Sequence, residues 1–214
     1  MATRIEKDFL GGMEVPSDAL YGIHSLRAKA NFPDESAFHR EWYTAVGTVK
    51  LSCYLTYKRF RQELRNRYPD QQLLLQLMDD DKTDWLIAAA QDVSRGNHFQ
   101  HFIVPAVQGG AGTSINMNVN EIIANAALRK AGKNPGNYGF IDPVEHANVY
   151  QSTNDVIPTA LKIALMKLLE SLEKDVNALR TQLEKLEDQY RNTLRLAYTQ
   201  MQEAVPSSWG RLFS

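Results

Sequence analysis

The stretch QGGAGTSINMNVNEIIAN, from Gln108 to Asn125, concentrates small uncharged groups that form hydrogen bonds. It contains three glycines, the pair Thr113 and Ser114, and four asparagines, and its only charged residue is Glu121. Glycine lets a ligand approach the backbone closely, and the first helical turn presents unpaired N–H groups and a positive dipole end. If a helix begins here, the stretch could hold a carboxylate without a nearby cation. The same residues could equally form a turn and a helix cap.

A second segment, QSTND, repeats this chemistry from Gln151 to Asp155. Ser152, Thr153 and Asn154 precede a strongly helical pattern, and a proline is tolerated in the first turn of a helix. Ser152-x-x-Asp155 is also compatible with a simple cap. Two helix starts pointing together could bind both carboxylates of a small dicarboxylic acid, which the first segment alone does not suggest.

Nucleotide binding is disfavoured, because GGAGTS lacks the lysine of a phosphate-binding loop and does not follow a strand. A third polar segment, YTQMQEAVP, carries Thr199 and Gln200. On its own it indicates no particular chemistry.

Composition predicts a globular protein of 214 residues with 43% hydrophobic and 23% charged residues. The 24 basic and 25 acidic residues give a net charge of −1, which argues against nucleic-acid binding. One cysteine, Cys53, stands among apolar neighbours, so we expect a buried structural thiol and a reducing, cytoplasmic compartment. The charged N-terminus is unlike a signal peptide, and WLIAAA is too short to span a membrane.

The histidines are predicted to be structural. His98-x-x-His101 has no obvious third metal ligand in the sequence, and His146 stands apart from that pair. We therefore expect no metal.

Hydrophobic periodicity predicts turns and short pieces over residues 1–40, followed by helices over 41–68, about 70–78 and 83–94. The next helix should begin between Ser114 and Asn118, with Asn118-x-x-Glu121 resembling a capping box, and end near Gly132.

The longest predicted helix runs from Asn154 to Asn192, about 55–60 Å at 1.5 Å per residue. No glycine or proline interrupts residues 159–205, so the helix could continue past Leu196. Its leucine-rich stripe recurs at steps of three and four and needs partner helices, which predicts a homo-oligomer. We place a helical N-terminal domain with the GGAGTS loop at 1–150, and the start of an incomplete bundle domain at 151–214.

These three segments, in this order, resemble the aspartase/fumarase superfamily. So does the opening RIEKDFLGGMEVPSDALYGIHSLRAKANF at 4–32. The aspartate ammonia-lyase branch is favoured over fumarases because Gln200 stands where fumarases carry a histidine. The resemblance implies a mainly all-α fold, in which a small helical N-terminal domain leads into the first long helix of a bundle shared by four subunits.

The resemblance also implies a reaction, the reversible loss of ammonia from L-aspartate to give fumarate, without a cofactor. By match to the family's motifs, Thr113, Ser152 and Thr153 would donate to the carboxylate that gains charge, and Ser114 would join them in binding substrate. Asn154, Thr199 and Gln200 would lie near the amino group and the other carboxylate.

Two departures limit what the resemblance implies. The family's general-base serine lies in a loop with no counterpart in these 214 residues, so we expect an N-terminal part of a longer protein, inactive alone. Ala197 and Tyr198 replace the family's Gly-Arg before the threonine. A fumarase-like or other succinyl-compound lyase, or a non-catalytic helical oligomerisation module, stays open.

Overall fold

The protein is mainly α-helical in a computed structural model, which describes residues 2–69 and 77–214. The elements, in chain order, are β1 (Thr3–Asp8), β2 (Gly11–Pro16), α1 (Ile23–Asn31), α2 (Arg40–Arg67), α3 (Asp80–Ser94), a 3-10 turn (Phe99–His101), α4 (Thr113–Lys130), α5 (Thr153–Gln189), β3 (Leu194–Thr199), β4 (Gln202–Ser208) and α6 (Gly210–Phe213). The predicted mainly all-α class is confirmed. The helix predicted over about 70–78 falls largely outside the described residues.

The chain forms two compact units, one up to Leu165 and one from Met166 to Ser214. Helix α5 begins in the first unit and ends in the second. The domain division predicted at residues 150/151 stays a prediction. Across the described part of the chain, no helix is both long and apolar enough to cross a membrane.

Helix α4 is the central helix of the first unit. It is buried along nearly its whole length, whereas α2 and α3 bury one face each. A helix buried all round belongs to the interior of a domain. Yet its buried residues include Asn116, Asn118, Asn120, Glu121 and Asn125, whose polar groups need partners inside the protein.

The predicted capping box at Asn118 and Glu121 is wrong. Helix α4 already begins at Thr113, after Gly112 in a left-handed conformation (φ 85°), so both residues lie inside the helix. Asn118 Oδ1 instead accepts a hydrogen bond from the backbone N–H of Ile103 (2.8 Å). Asn118 and Glu121, whose spacing suggested a cap, therefore form hydrogen bonds with other segments of the chain.

Glu121 caps the start of a different helix, α1. Its carboxylate accepts hydrogen bonds from the N–H groups of Gly22 (2.7 Å), His24 (2.9 Å) and Ser25 (3.2 Å), and from the Ser25 hydroxyl. Burial raises the pKa of the Glu121 carboxyl, and the hydrogen bonds from Ser25 and Gly22 oppose that shift. The carboxylate thus joins the N-terminus of α1 to the middle of α4.

The antiparallel hairpin of β1 and β2 replaces the turns and short pieces predicted at the N-terminus. Its charged residues Arg4 and Glu6 point inward, whereas Ile5 is 59% exposed. Arg4 forms an ion pair with Glu6 and donates to the carbonyls of Pro16, Ala19 and Tyr21. These bonds attach the hairpin to the segment that leads into α1.

The second unit contains most of α5 and an antiparallel hairpin of β3 and β4. Helix α5 ends at Gln189, close to the predicted end at Asn192, and does not continue past Leu196. The hairpin turns at Gln200 and Met201, both with positive φ (49° and 61°), as a two-residue turn with right-handed strand twist requires. Within this unit the leucine-rich stripe of α5 is exposed in the single chain, and the predicted homo-oligomer stays a prediction.

Candidate functional site

The loop before α4 makes a tight left-handed turn. Gly110, Ala111 and Gly112 have φ values of 84°, 53° and 85°. The backbone N–H and the hydroxyl of Thr113 both donate to the Gly110 carbonyl, at 3.1 and 2.9 Å. Thr113 is exposed and Ser114 is half-buried at the helix start. The turn places the first N–H groups of α4 at the edge of the core.

The start of α5 has a similar arrangement. Ser152 Oγ accepts from the N–H of Asn154 (3.2 Å), and the Ser152 carbonyl accepts from Asp155 and Val156. Ser152 and Asn154 are exposed, and Thr153 is half-buried. Hydroxyl and amide groups therefore occupy the first turn of this helix too.

The two helix starts meet within the first unit. Asn116 Nδ2, in the first turn of α4, donates to Thr153 Oγ1 at 3.0 Å. A cavity of about 380 Å³ lies between them, lined by Gly112, Asn154 and Ile157 among others. Thr113, Ser114, Ser152, Thr153 and Asn154 lie at adjoining helix starts; of these only Asn154 lines the cavity, and their role in binding substrate stays a prediction.

Two further residues lining this cavity carry buried polar atoms. Trp42 Nε1 and Gln108 Oε1 have no hydrogen-bond partner among the described residues. One is a donor and the other an acceptor, so a polar ligand in the cavity could satisfy both. Sequence reasoning did not select Trp42, because a tryptophan at the start of a helix carries no specific signal.

Thr199 and Gln200 belong to the second unit. Thr199 ends β3, Gln200 forms the turn, and both are exposed. Their relation to the helix starts of the first unit stays a prediction.

A buried polar cluster adjoins the helix starts and was missed by sequence reasoning. Lys50 of α2 is 0% exposed, and its Nζ donates to Gln151 Oε1 (2.9 Å) and Asn148 Oδ1 (3.4 Å). Asn148 Oδ1 also accepts from the side-chain amides of Asn116 (3.1 Å) and Asn120 (3.3 Å). The helical pattern places Lys50 between apolar positions like any surface lysine, so no sequence signal shows its burial.

Two of the histidines accept hydrogen bonds from backbone N–H groups. His101 Nδ1 accepts from the N–H of Leu20 (3.3 Å), and His146 Nδ1 accepts from that of Asp142 (3.0 Å). Burial lowers the pKa of both imidazoles. In the part of the chain that the structure describes, no three His, Cys, Asp or Glu residues form a group that could hold a metal ion. Cys53 is half-buried rather than buried, and burial raises the pKa of its thiol.

Gly112 sets the distance between the two helix starts. A Cβ atom at this position would lie 2.8 Å from Cγ2 of Ile157 in α5, whereas one at Gly110, with nearly the same φ, would meet nothing within 4 Å. We expect Gly110→Ala to cost about 1–2 kcal/mol of unfolding free energy, from backbone strain alone. Gly112→Ala should cost about 1–3 kcal/mol more, because Ile157 must move. Denaturant unfolding of both variants measures this difference; equal losses would show that the close contact with α5 is not what Gly112 provides.

Comparison with known proteins identifies the class. The lyase family matches residues 11–214. Aspartate ammonia-lyases from a Bacillus species and from Escherichia coli K12 are 39% and 36% identical over 98% of this chain. The crystal structure of a fumarate lyase:delta crystallin from Brucella melitensis in native form superimposes with a TM-score of 0.86 at 33% identity, covering 100% of this chain and 47% of that one. A class II fumarase from Schistosoma mansoni gives 0.80 at 25% identity, covering 99% and 42%.

The chain belongs to this lyase family, within the aspartase/fumarase superfamily. It spans 42% of the length of both aspartate ammonia-lyases.

Proposed function

We propose that this chain provides part of the substrate site of an aspartate ammonia-lyase, which eliminates ammonia from L-aspartate to give fumarate. The observation that carries the proposal is the meeting of the α4 and α5 starts, joined by the hydrogen bond from Asn116 to Thr153, with uncharged hydroxyl and amide groups in both first turns. The positive ends of two helix dipoles at one place favour negative charge, and aspartate carries two carboxylates.

The direction of the hydrogen bonds supports a donating role for two hydroxyls. A hydroxyl has one proton to donate and two lone pairs to accept. Thr153 Oγ1 accepts from Asn116, and Ser152 Oγ accepts from the N–H of Asn154. Each keeps its proton for another acceptor, such as a substrate carboxylate. Thr113 now donates to Gly110, so its hydroxyl would have to rotate to reach a ligand.

These donors suit the difficult step of the proposed reaction. The proton to be removed lies on the carbon beside the side-chain carboxylate, and its loss places a second negative charge on that carboxylate. Fixed neutral donors stabilise such a charge as it develops. In this proposal Thr113, Ser152 and Thr153 serve the side-chain carboxylate together with Ser114. The resemblance assigns Asn154, Thr199 and Gln200 to the amino group and the other carboxylate, and this assignment is part of the proposal.

A second candidate is the elimination of water from a hydroxy-dicarboxylate. The likeness to a class II fumarase favours it, with a TM-score of 0.80. The higher identity to aspartate ammonia-lyases, 39%, favours ammonia elimination. A non-catalytic homo-oligomerisation module is a third candidate, supported by the exposed leucines of α5.

The test is a substrate panel on the protein expressed from its complete reading frame. We expect fumarate, followed by its ultraviolet absorbance, to form from L-aspartate and not from L-malate. Turnover of malate alone would favour the second candidate, and turnover of neither would favour the oligomerisation module. The 214-residue chain alone should give no fumarate, because the family's serine-base loop has no counterpart in it; appreciable turnover would contradict that expectation.

A further inference from the structure

Lys50 is a buried lysine without a carboxylate partner among the described residues. Its Nζ contacts two amide oxygens, those of Gln151 and Asn148, and forms no ion pair. Isolated buried charges are costly and are normally paired. The burial of a lysine that is 0% exposed and bonded only to neutral groups therefore requires a structural or functional explanation.

The cluster around Lys50 is rich in acceptors. Asn116 Oδ1 and Asn120 Oδ1 are buried without a hydrogen-bond partner in the described part of the chain, although both residues are at most 2% exposed. Amide oxygens stabilise an ammonium but do not neutralise its charge. The positive charge of Lys50 is thus left without an opposite charge from the residues that contact it.

Hydrogen bonds lead from Lys50 to the start of α5 by two routes. Asn148 Oδ1 accepts from Lys50 and from Asn116, and Asn116 donates in turn to Thr153 Oγ1. Gln151, held by Lys50, immediately precedes Ser152, and its carbonyl accepts from Asn148 Nδ2 (2.9 Å). The Lys50 ammonium therefore holds the loop that leads to Ser152. Through Asn148 it also holds the Asn116 amide that is bonded to Thr153.

We infer that Lys50 is a positioning residue for the dicarboxylate site, acting through Asn148, Gln151 and Asn116 on Ser152 and Thr153, and that the substrate's negative charge balances its ammonium. This inference rests on the proposed function and adds to it. Lys50 would supply a positive charge, linked through Asn148 and Asn116 to Thr153, to helix starts whose own hydroxyl and amide groups are uncharged.

The titration of Lys50 gives the inference a distinctive signature. Burial lowers the pKa of the Lys50 ammonium to about 7, and Cys53, one turn along α2, opposes the shift. The hydrogen-bond partners of Lys50 Nζ in the described residues are the uncharged side chains of Asn148 and Gln151. A dianion bound nearby favours the ammonium, so ligand affinity should be greatest below neutral pH and fall as the pH rises through the free enzyme's pKa.

The experiment compares Lys50→Met with Lys58→Met, a control on the same helix whose lysine is exposed and paired with Asp84. Both are made in the protein expressed from its complete reading frame. Fumarate is the probe, since it carries two carboxylates and no amino group that titrates. Its dissociation constant is measured by calorimetry from about pH 6 to about pH 9, over which a lysine shifted by burial titrates.

We expect Lys50→Met to weaken fumarate binding about tenfold or more near pH 6, as the loss of an unscreened unit charge implies. Its affinity should no longer fall with pH, whereas Lys58→Met should follow the unaltered protein. Lys50→Arg should recover part of the affinity and should not lose its charge over this range. The unaltered protein should take up protons on binding fumarate near pH 8.

Each result decides between two explanations. If Lys50→Met lowers stability but leaves the fumarate affinity and its pH profile unchanged, Lys50 has a merely structural role and the inference is wrong. If Lys50→Met does not fold, absence of proton uptake by the unaltered protein overturns it instead. If the unaltered protein neither binds fumarate nor deaminates aspartate, the proposed function fails and this inference falls with it.

Discussion

Replacing Thr113 and Ser152 together by alanine is expected to lower kcat for aspartate deamination by about 10²–10³-fold. Both hydroxyls lie at the adjoining starts of α4 and α5, and both are assigned to the carboxylate that gains charge as the proton leaves. Removing a donor that acts on the developing charge costs about 2.7–4 kcal/mol of transition-state stabilisation. The rate is measured by fumarate formation at saturating L-aspartate with the protein from its complete reading frame.

A purely structural role for these hydroxyls predicts a different outcome. Thr113 and Ser152 also form turn and cap contacts, with Gly110 and Asn154. Losing such contacts costs about 1 kcal/mol of stability each and leaves the rate of the folded enzyme intact. The control is Thr181→Ala, which removes an exposed α5 hydroxyl bonded to its own helix backbone. If the double variant loses stability but keeps its kcat, the proposed role of these hydroxyls is wrong.

Replacing Glu121 by alanine is expected to lower the unfolding free energy by about 3–5 kcal/mol, because several buried donors lose their acceptor at about 1–3 kcal/mol each, a large share of the 5–15 kcal/mol typical of a domain. The carboxylate accepts from three N–H groups at the start of α1, and the side chain is 0% exposed. Its removal leaves buried donors unpaired and a cavity beside them. Denaturant unfolding measures the loss, and amide hydrogen exchange of Gly22 and Ser25 reports on the start of α1.

Glu63→Ala provides the matched control, since Glu63 is an exposed helical glutamate of α2. Surface substitutions of this kind change stability by about 0.5 kcal/mol or less. Glu121→Gln keeps the side-chain volume but turns one oxygen into a donor facing backbone donors, so it should destabilise by less than alanine. Equal unfolding free energies for Glu121→Ala and Glu63→Ala would show that the cap on α1 contributes little.

The long helices could be predicted from sequence because their apolar residues repeat at helical spacing. The prediction of a helix over 41–68 agrees with α2 at Arg40–Arg67, and that over 83–94 lies within α3. The starts of α4 at Thr113 and of α5 at Thr153 were predicted from the polar residues around them. The predicted start of α4, however, lay too late in the sequence. The left-handed Gly112 ends the loop and begins the helix without any capping side chain, so a search for a cap selected interior residues.

The hairpins could not be predicted, for two different physical reasons. In β1 the inward positions hold Arg4 and Glu6 while Ile5 faces solvent, so the hydrophobic alternation that predicts a strand is inverted. In β3 the residues Leu194 and Leu196 continue the leucine spacing of α5, and no glycine or proline marks the change. The turn at Gln200 and Met201 adopts positive φ without the Asn-Gly pair that usually indicates it.

The buried polar cluster around Lys50 could not be predicted from the sequence either. Hydroxyl and amide residues at a helix start can be recognised from their spacing in the sequence. Lys50 and Asn148 cannot, because they are distant in sequence and meet only in the folded chain. A lysine between apolar helix positions usually extends to water. Only the folded structure, in which α2 packs against the loop before α5, shows that Lys50 does not extend to water.

Helix α4 combines buried apolar residues of the core with buried polar side chains that hold other segments of the chain. Asn118 holds Ile103, Asn125 holds the Leu20 carbonyl and Gly136 N–H, and Asn116 holds Thr153. Each amide secures a different segment, so an aliphatic replacement of similar size would leave polar groups in that segment unpaired. Drift among related sequences should therefore be slow along α4 and rapid along the exposed leucine face of α5, where one aliphatic residue serves nearly as well as another.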